Sequence, residues 1–221
     1  MKMRATWGIL VLNALCSVCD ACSCYYFHPQ EHYCTADFVA LVTVNEQRDM
    51  DNYTKMQSYY VIVHRLFKAN KDSVEGLSKG IIWTPANDAV CGITLKTNRK
   101  YLITGSSDRS KPKVSLCNYH QEWNALTRKQ KKGFQRLYRN GCNCTVRVYH
   151  SGRDANRHCL WETSDSLDCQ SKEAICVPSH VKPGCIWLGG QRYRECMKKR
   201  RRMKILEGPS GSAPLENSYS R

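Results

Sequence analysis

The residues best placed to do chemistry are Cys22-Ser23-Cys24, which follow a segment with the three parts of a secretory leader. Lys2 and Arg4 form its positive start, Ala5 to Cys19 its apolar run, and Cys19 and Ala21 the small residues of a cleavage site. Cleavage after Ala21 would make Cys22 the first residue, with a free α-amino group beside its own carbonyl. Those two donors can close a five-membered ring on a metal ion. A catalytic protease zinc has three protein ligands and an open position held by the attacking water. A bidentate ligand that displaces this water silences the enzyme. The amine binds only when unprotonated, and an α-amino pKa of roughly 7.7–8.0 makes that undemanding near neutral pH. Disulfides from Cys22 and Cys24 would hold the segment in its bound shape and lower the ordering cost of binding. Spacing alone leaves a plainer alternative open: a chain start merely stapled to a core.

The chain has 14 cysteines. Cys16 and Cys19 leave with the leader. Cys22, Cys24, Cys34, Cys91, Cys117, Cys142, Cys144, Cys159, Cys169, Cys176, Cys185 and Cys196 remain, an even set that points to six disulfides in an exported chain. The C-x-C pairs Cys22/Cys24 and Cys142/Cys144 raise metal binding as an alternative, but zinc sites favour C-x₂-C spacing and the export route is oxidising. Counting does not assign the pairs. The leader's apolar run is shorter than the about 20 residues needed to cross a bilayer, and no later segment qualifies, so no membrane span is expected. Without Lys2, Arg4 and Asp20 the chain carries 32 Lys and Arg against 18 Asp and Glu, a net +14. Outside a cell that excess favours anionic partners such as heparan sulfate and other sulfated glycosaminoglycans. The export signal and the lack of a nucleic-acid-binding motif argue against nucleic acid.

Two basic clusters stand out. One comprises Arg128, Lys129, Lys131, Lys132, Arg136 and Arg139; the other comprises Arg192, Arg194, Lys198 through Arg202, and Lys204. A charge run is often only a solvated face, but the second is dense enough to suit a sulfated polysaccharide. Gly76-Leu77-Ser78-Lys79-Gly80 matches the G-x-S-x-G nucleophile elbow, yet it lies in a link before Ile81-Ile82-Trp83 in a β context. That chemistry needs a strand-to-helix turn in a large α/β sheet. The histidines include no H-E-x-x-H, which argues against a catalytic zinc of its own. His28 and His32 read as surface or core-filling residues. No enzyme is expected.

Positioning Cys22 requires a scaffold, and the cysteine spacing suggests how it is divided. From Cys22 to Cys142 cysteines are sparse; from Cys144 to Cys196 they are dense. The expected organisation is a leader over 1–21, a first domain over 22–142, a small disulfide-rich β domain over 143–196 that needs covalent staples, and a basic, disordered tail over 197–221. Phe38–Val44, Tyr59–Phe67, Gly80–Thr84, Val90–Leu95, Tyr101–Thr104 and Lys113–Cys117 read as short strands between turn residues, which suggests a small closed barrel or sandwich. Asn45–Gln57 reads as an exposed hairpin loop carrying the glycosylation sequon Asn52-Tyr53-Thr54. Leu126, Phe134, Leu137 and Tyr138 recur at helical spacing; Thr127 with Gln130 forms a capping box at the start, and Gly141 supplies a stop.

Several motifs keep a shared order. Cys22-Ser23-Cys24, His28-Pro29-Gln30 and Cys34-Thr35-Ala36-Asp37 are followed by Ala89-Val90-Cys91-Gly92, Tyr101-Leu102-Ile103-Thr104-Gly105, Trp123 with Gln130-Lys131-Lys132, Gly141-Cys142-Asn143-Cys144, Cys159-Leu160-Trp161 and Cys185-Ile186-Trp187. This ordered set resembles the tissue inhibitors of metalloproteinases, from Cys22 to about Gly190. The resemblance implies a mainly β fold: a five-stranded OB-like (netrin-like) barrel with flanking helices, then the small C-terminal domain. It also implies the pairs Cys22–Cys91, Cys24–Cys117 and Cys34–Cys142, then Cys144–Cys185 and Cys159–Cys176, with Cys169–Cys196 left by elimination. The function implied is secreted inhibition of extracellular zinc metalloproteinases of matrix or disintegrin type, by a monomer with no cofactor of its own. In that scheme Cys22 chelates the partner's zinc, Ser23 enters the mouth of the specificity pocket, and Tyr25 follows the primed side of the cleft. Ala89 and Val90, tied through Cys91, touch the unprimed side, and the Asn45–Gln57 loop meets the enzyme's rim. The chain departs from the vertebrate pattern in lacking a tight cysteine loop after the junction, which suggests an invertebrate or otherwise divergent member and leaves a proenzyme-binding role unsupported. The alternative is a non-inhibitory netrin-like module that binds sulfated glycosaminoglycan or matrix.

Overall fold

A computed structural model describes residues 22–48, 50–51, 53–148, 158–163 and 167–207. The leader, Asn52 and residues 208–221 of the expected tail lie outside them.

Five strands close into a barrel. β1 (Phe38–Gln47) and β2 (Met56–Ala69) form a long hairpin, β2 pairs with β3 (Ile81–Pro85), and β4 (Arg99–Asp108) pairs with both β1 and β5 (Lys111–Lys113). A parallel bridge, Trp83 opposite Lys113, closes the ring. A short sixth strand, β6 (His120–Glu122), adds to β4. Three register shifts in the β1–β2 ladder bend the pair enough to wrap. The chain's mainly β character, closed barrel, flanking helices and disulfides are those of an OB-like fold.

Both faces of β1 and β4 are covered, which explains why their apolar runs are nearly unbroken. Inside the barrel, Phe38, Ala40, Val42, Val44, Tyr59 and Ile103 belong to one cluster. Outside it, Val39 and Leu102 join a second cluster with Tyr33, Phe134, Tyr138 and Ile175. Tyr33 lies on helix α1 (Pro29–Thr35), while Ile175 lies on β9 (Ala174–Pro178), in the C-terminal part. The two parts therefore share a core.

Several local expectations need correction. Val90–Leu95 is not a strand: a 3-10 turn (Asp88–Val90) gives way to an extended segment with no ladder. Its alternation is real, since Ile93 and Leu95 are buried, but side chains satisfy its backbone. Ile93 N donates to Thr84 Oγ1 at 2.9 Å, Leu95 N donates to the Tyr59 hydroxyl at 3.3 Å, and that hydroxyl donates to Ile93 O at 3.2 Å. Lys113 ends β5, and the rest of the Lys113–Cys117 run is loop. Asn45–Gln47 and Met56–Gln57 belong to the strands, so the β1–β2 loop is shorter than expected. The G-x-S-x-G glycine and serine end helix α2 (Lys71–Ser78), capped by Asn70. The motif thus runs from helix into strand, the reverse of a nucleophile elbow.

The capping box is present: Thr127 and Gln130 bond reciprocally at the start of helix α3 (Arg128–Lys132). The helix does not run on regularly. It widens to a π turn (Gly133–Leu137) and tightens to a 3-10 turn (Tyr138–Gly141), with the Tyr138 ring lying over Gly133 where a side chain would collide.

The C-terminal part holds a parallel pair, β7 (Thr145–Val148) with β8 (His158–Trp161), and an antiparallel pair, β9 with β10 (Cys185–Gly189). Helix α4 (Cys169–Glu173) precedes β9. The local core is small and contains Cys144, Cys159 and Cys176 beside Val146 and Trp161, so covalent links replace missing apolar volume. Residues 197–207 are not a disordered tail. They continue helix α5 (Gln191–Glu207), anchored by Cys196 to Cys169 and by Arg200, which is 4% exposed and reaches Glu162 at 3.1 Å and Gln170 at 2.8 Å. Arg200 thus stands apart from the solvated cationic surface.

Candidate functional site: a disulfide-tied ridge

Two adjacent disulfides, Cys22–Cys91 and Cys24–Cys117, fasten the Cys22–Cys24 segment to the barrel rim. Cys22 Sγ lies 3.8 Å from Cys24 Sγ, and Cys91 Sγ 4.0 Å from Cys117 Sγ. The other four bonds are Cys34–Cys142, Cys144–Cys185, Cys159–Cys176 and Cys169–Cys196. The sulfurs of Cys22, Cys24, Cys91 and Cys117 all lie within 4.8 Å of one another, as do those of Cys144, Cys176 and Cys185. Every one is consumed in a disulfide, so none offers the thiolate that a metal needs.

Cys22, Ser23, Cys24 and Tyr25 thus lie beside Ala89, Val90 and Cys91, and Cys22 N donates to Ala89 O at 3.1 Å. The Asn87 side chain accepts from Val90 N, and Cys91 takes a left-handed φ of 64° to leave the turn. Leu116 N donates to Cys91 O at 2.8 Å, and the Asn118 side chain accepts from Ser115 N and Oγ, which shapes the loop bearing Cys117. Gly92 is obligatory here: a Cβ would sit 2.2 Å from Pro85 O and 2.6 Å from Asn87 O.

The result is a stiff backbone with outward side chains. Ser23 is exposed, Tyr25 is 86% exposed and Val90 54%. A groove of about 430 Å³ runs from Cys24–Phe27 past Leu116–Gln121 to Asp168 and Lys172 of the C-terminal part.

Behind the ridge, His28-Pro29-Gln30 anchors the chain. The buried Gln30 side chain donates to Gly141 O at 3.0 Å and Cys176 O at 2.9 Å, and accepts from Cys176 N at 2.9 Å. Its amide serves the free edge of β9 as a strand would. Glu31 accepts from Val146 N at 2.6 Å, and its burial raises the carboxyl's pKa. His28 is buried among Tyr138, Trp161 and Trp187. Burial is the main cause that brings its imidazole down to about 4, and burial likewise brings His32 to about 4. The clamp role of Gln30 and the placement of Tyr26 on Trp161 escaped the reading from sequence. Polar Gln30 gave no burial signal, and Tyr26 stood within an undifferentiated aromatic run.

The basic clusters meet elsewhere. A groove of about 480 Å³ lies between α3 and α5, lined by Arg128, Lys129, Lys132 and Arg192 together with Glu173 and Glu195.

A family model described as tissue inhibitor of metalloproteinase matches residues 20–187. The Tissue inhibitor of metalloproteinase of Drosophila melanogaster is 31% identical over 214 residues, covering 89% of this chain and 99% of its own. Metalloproteinase inhibitor 2 of Homo sapiens is 28% identical over 204 residues, covering 85% and 90%. Metalloproteinase inhibitor 3 of Gallus gallus is 29% identical over 205 residues, covering 85% and 93%.

Proposed function

The chain belongs to the tissue inhibitor of metalloproteinase family, and we propose that it is secreted and silences zinc metalloproteinases with its own first residue. It is an inhibitor of that family's type, not an enzyme. The observation that supports the mechanism is the ridge: half-buried Cys22 and exposed Ser23 fastened beside the Asp88–Cys91 turn by two disulfides.

Removal of the leader turns the Cys22 nitrogen into an amine. A neutral amine has two N–H groups and one lone pair. One N–H can keep the bond to Ala89 O while the lone pair, with the Cys22 carbonyl, binds the enzyme's zinc in place of its water. The zinc is the partner's. Ser23 enters the specificity pocket, Tyr25 follows the primed side, and Ala89 and Val90 cover the unprimed side. Little of this surface has to order on binding, which favours tight association. Targets of matrix or disintegrin type would place the protein in extracellular matrix turnover. Among the described residues, no helix is long and apolar enough to cross a membrane.

The test is titration of the mature protein against catalytic domains of matrix, disintegrin and astacin type. A tight one-to-one complex with at least one is expected; absence of inhibition across all three overturns the reading.

The groove between the basic clusters favours a second, compatible activity: retention on sulfated glycosaminoglycan. Elution from a heparin column should require salt well above that for a Lys129→Glu/Arg192→Glu variant. Equal elution would remove this activity.

A further inference from the structure

Three aromatic residues, Tyr25-Tyr26-Phe27, bridge the exposed ridge and the buried His28; the Tyr25 and Phe27 rings lie 6.2 Å apart, and the Tyr26 ring turns away from them. Tyr25 points to solvent, and Phe27 meets His32 edge-on with centroids 5.8 Å apart. Tyr26 folds toward the C-terminal part and stacks on Trp161, with centroids 4.8 Å apart and planes 27° from parallel.

Trp161 is a fixed platform. It is 1% exposed, and its indole N–H donates to Asp168 Oδ1 at 2.8 Å. The same oxygen accepts from Ser171 N at 3.1 Å and so caps α4. Cys169, the first residue of that helix, is bonded to Cys196 of α5. Tyr26 itself remains 65% exposed, with its free side on the groove beside Cys24 and Leu116.

We propose that Tyr26 is a positioning residue: its stack on Trp161 passes the rigidity of the C-terminal part to the Cys22–Tyr25 ridge. The C-terminal part then strengthens inhibition without having to touch the enzyme. This rests on the reading of the ridge as the inhibitory surface. Between the Cys24–Cys117 bond and buried His28, Tyr26 is the residue whose ring ties the segment to the C-terminal part. Without that ring, Tyr25 and the carbonyls beside it sample more conformations, and binding must order them.

The experiment uses the full mature chain and compares Tyr26→Ala, Tyr26→Phe and wild type. Tyr26→Ala should dissociate from a matrix-type catalytic domain roughly three- to tenfold faster, the range for ordering the freed segment again on binding. Loss of the stack itself should lower the thermal midpoint by only a few degrees, so the variant stays folded in the assay. Tyr26→Phe, which keeps the stack, should restore wild-type dissociation. Backbone ¹⁵N order parameters of the free protein give a readout independent of inhibition: those of residues 24–27 should fall in Tyr26→Ala alone. Unchanged order parameters there, or an alanine defect that phenylalanine does not rescue, overturns the proposal. A wild-type protein that inhibits nothing while the order-parameter difference persists would fault the inhibitory reading and leave Tyr26 as the structural tie.

Discussion

The ridge depends on individual atoms more than on its sequence of side chains. Gly92 is the clearest case, because the atoms its Cβ would strike belong to the backbone at Pro85 and Asn87. Gly92→Ala should open the Asp88–Cys91 turn and move Cys22 with it through their disulfide. We expect inhibition to weaken about tenfold or more, with a stability loss of about 1–3 kcal/mol as for other overpacked sites. Inhibition assays with a parallel urea titration check both, and wild-type behaviour in the two would show that the turn yields without consequence. Much of this site was legible in sequence because its residues are cysteines at rare spacings. The pairing was not legible from counting, since composition carries no distances. The Asn87 cap and the Gln30 clamp were also hidden, because the partners of a polar side chain are fixed only by the fold.

At the level of elements, α1 is the joint between the barrel and the C-terminal part, and Gln30 is its fastening. Gln30→Ala strips the partner from Cys176 N and the side-chain donor from two carbonyls in a buried site. A loss of about 2–4 kcal/mol is expected from such groups, measured as a lower urea midpoint. His28 adds a pH dependence. Its folded value of about 4 lies below the ordinary 6.5, so the unfolded chain binds more protons between the two. Stability is therefore complete above about pH 6.5 and falls as pH drops toward 4, by about 2–3 kcal/mol from this residue. His32 acts in the same direction, and Glu31, raised by burial, acts in the opposite one. Comparison with His28→Asn isolates the effect: the variant should lose less stability than wild type between pH 7 and pH 4.5, and identical slopes would contradict the assignment.

The elements themselves divide by how local their causes are. β1, β2 and β4 were readable because β-branched and aromatic runs fill a barrel covered on two faces. The α3 start was readable because a capping box is a local contact. The Val90–Leu95 segment misled because alternation reports burial, not backbone pairing, and here Tyr59 and Thr84 stand in for a neighbouring strand. The π turn after α3 answers to Tyr138 lying over Gly133, which no local pattern announces. The end of α5 is hidden in the sequence because its charges resemble a solvated run, while Arg200 is buried on Glu162 and Gln170.

As a whole, the molecule is a barrel with the Cys22–Cys24 segment fastened to its rim by two disulfides, and a C-terminal part that shares the barrel's outer core through Ile175. The proposed inhibition turns on the chemical state of Cys22. The direct measurement compares the mature protein with a form carrying one extra alanine before Cys22, against the same zinc metalloproteinase catalytic domain. The extra residue turns the amine into an amide, which has no lone pair to give to zinc, and leaves the disulfides in place. The account predicts that inhibition weakens roughly a hundredfold or more, about 2.7 kcal/mol, with the thermal midpoint unchanged. Undiminished inhibition by the extended protein would contradict it.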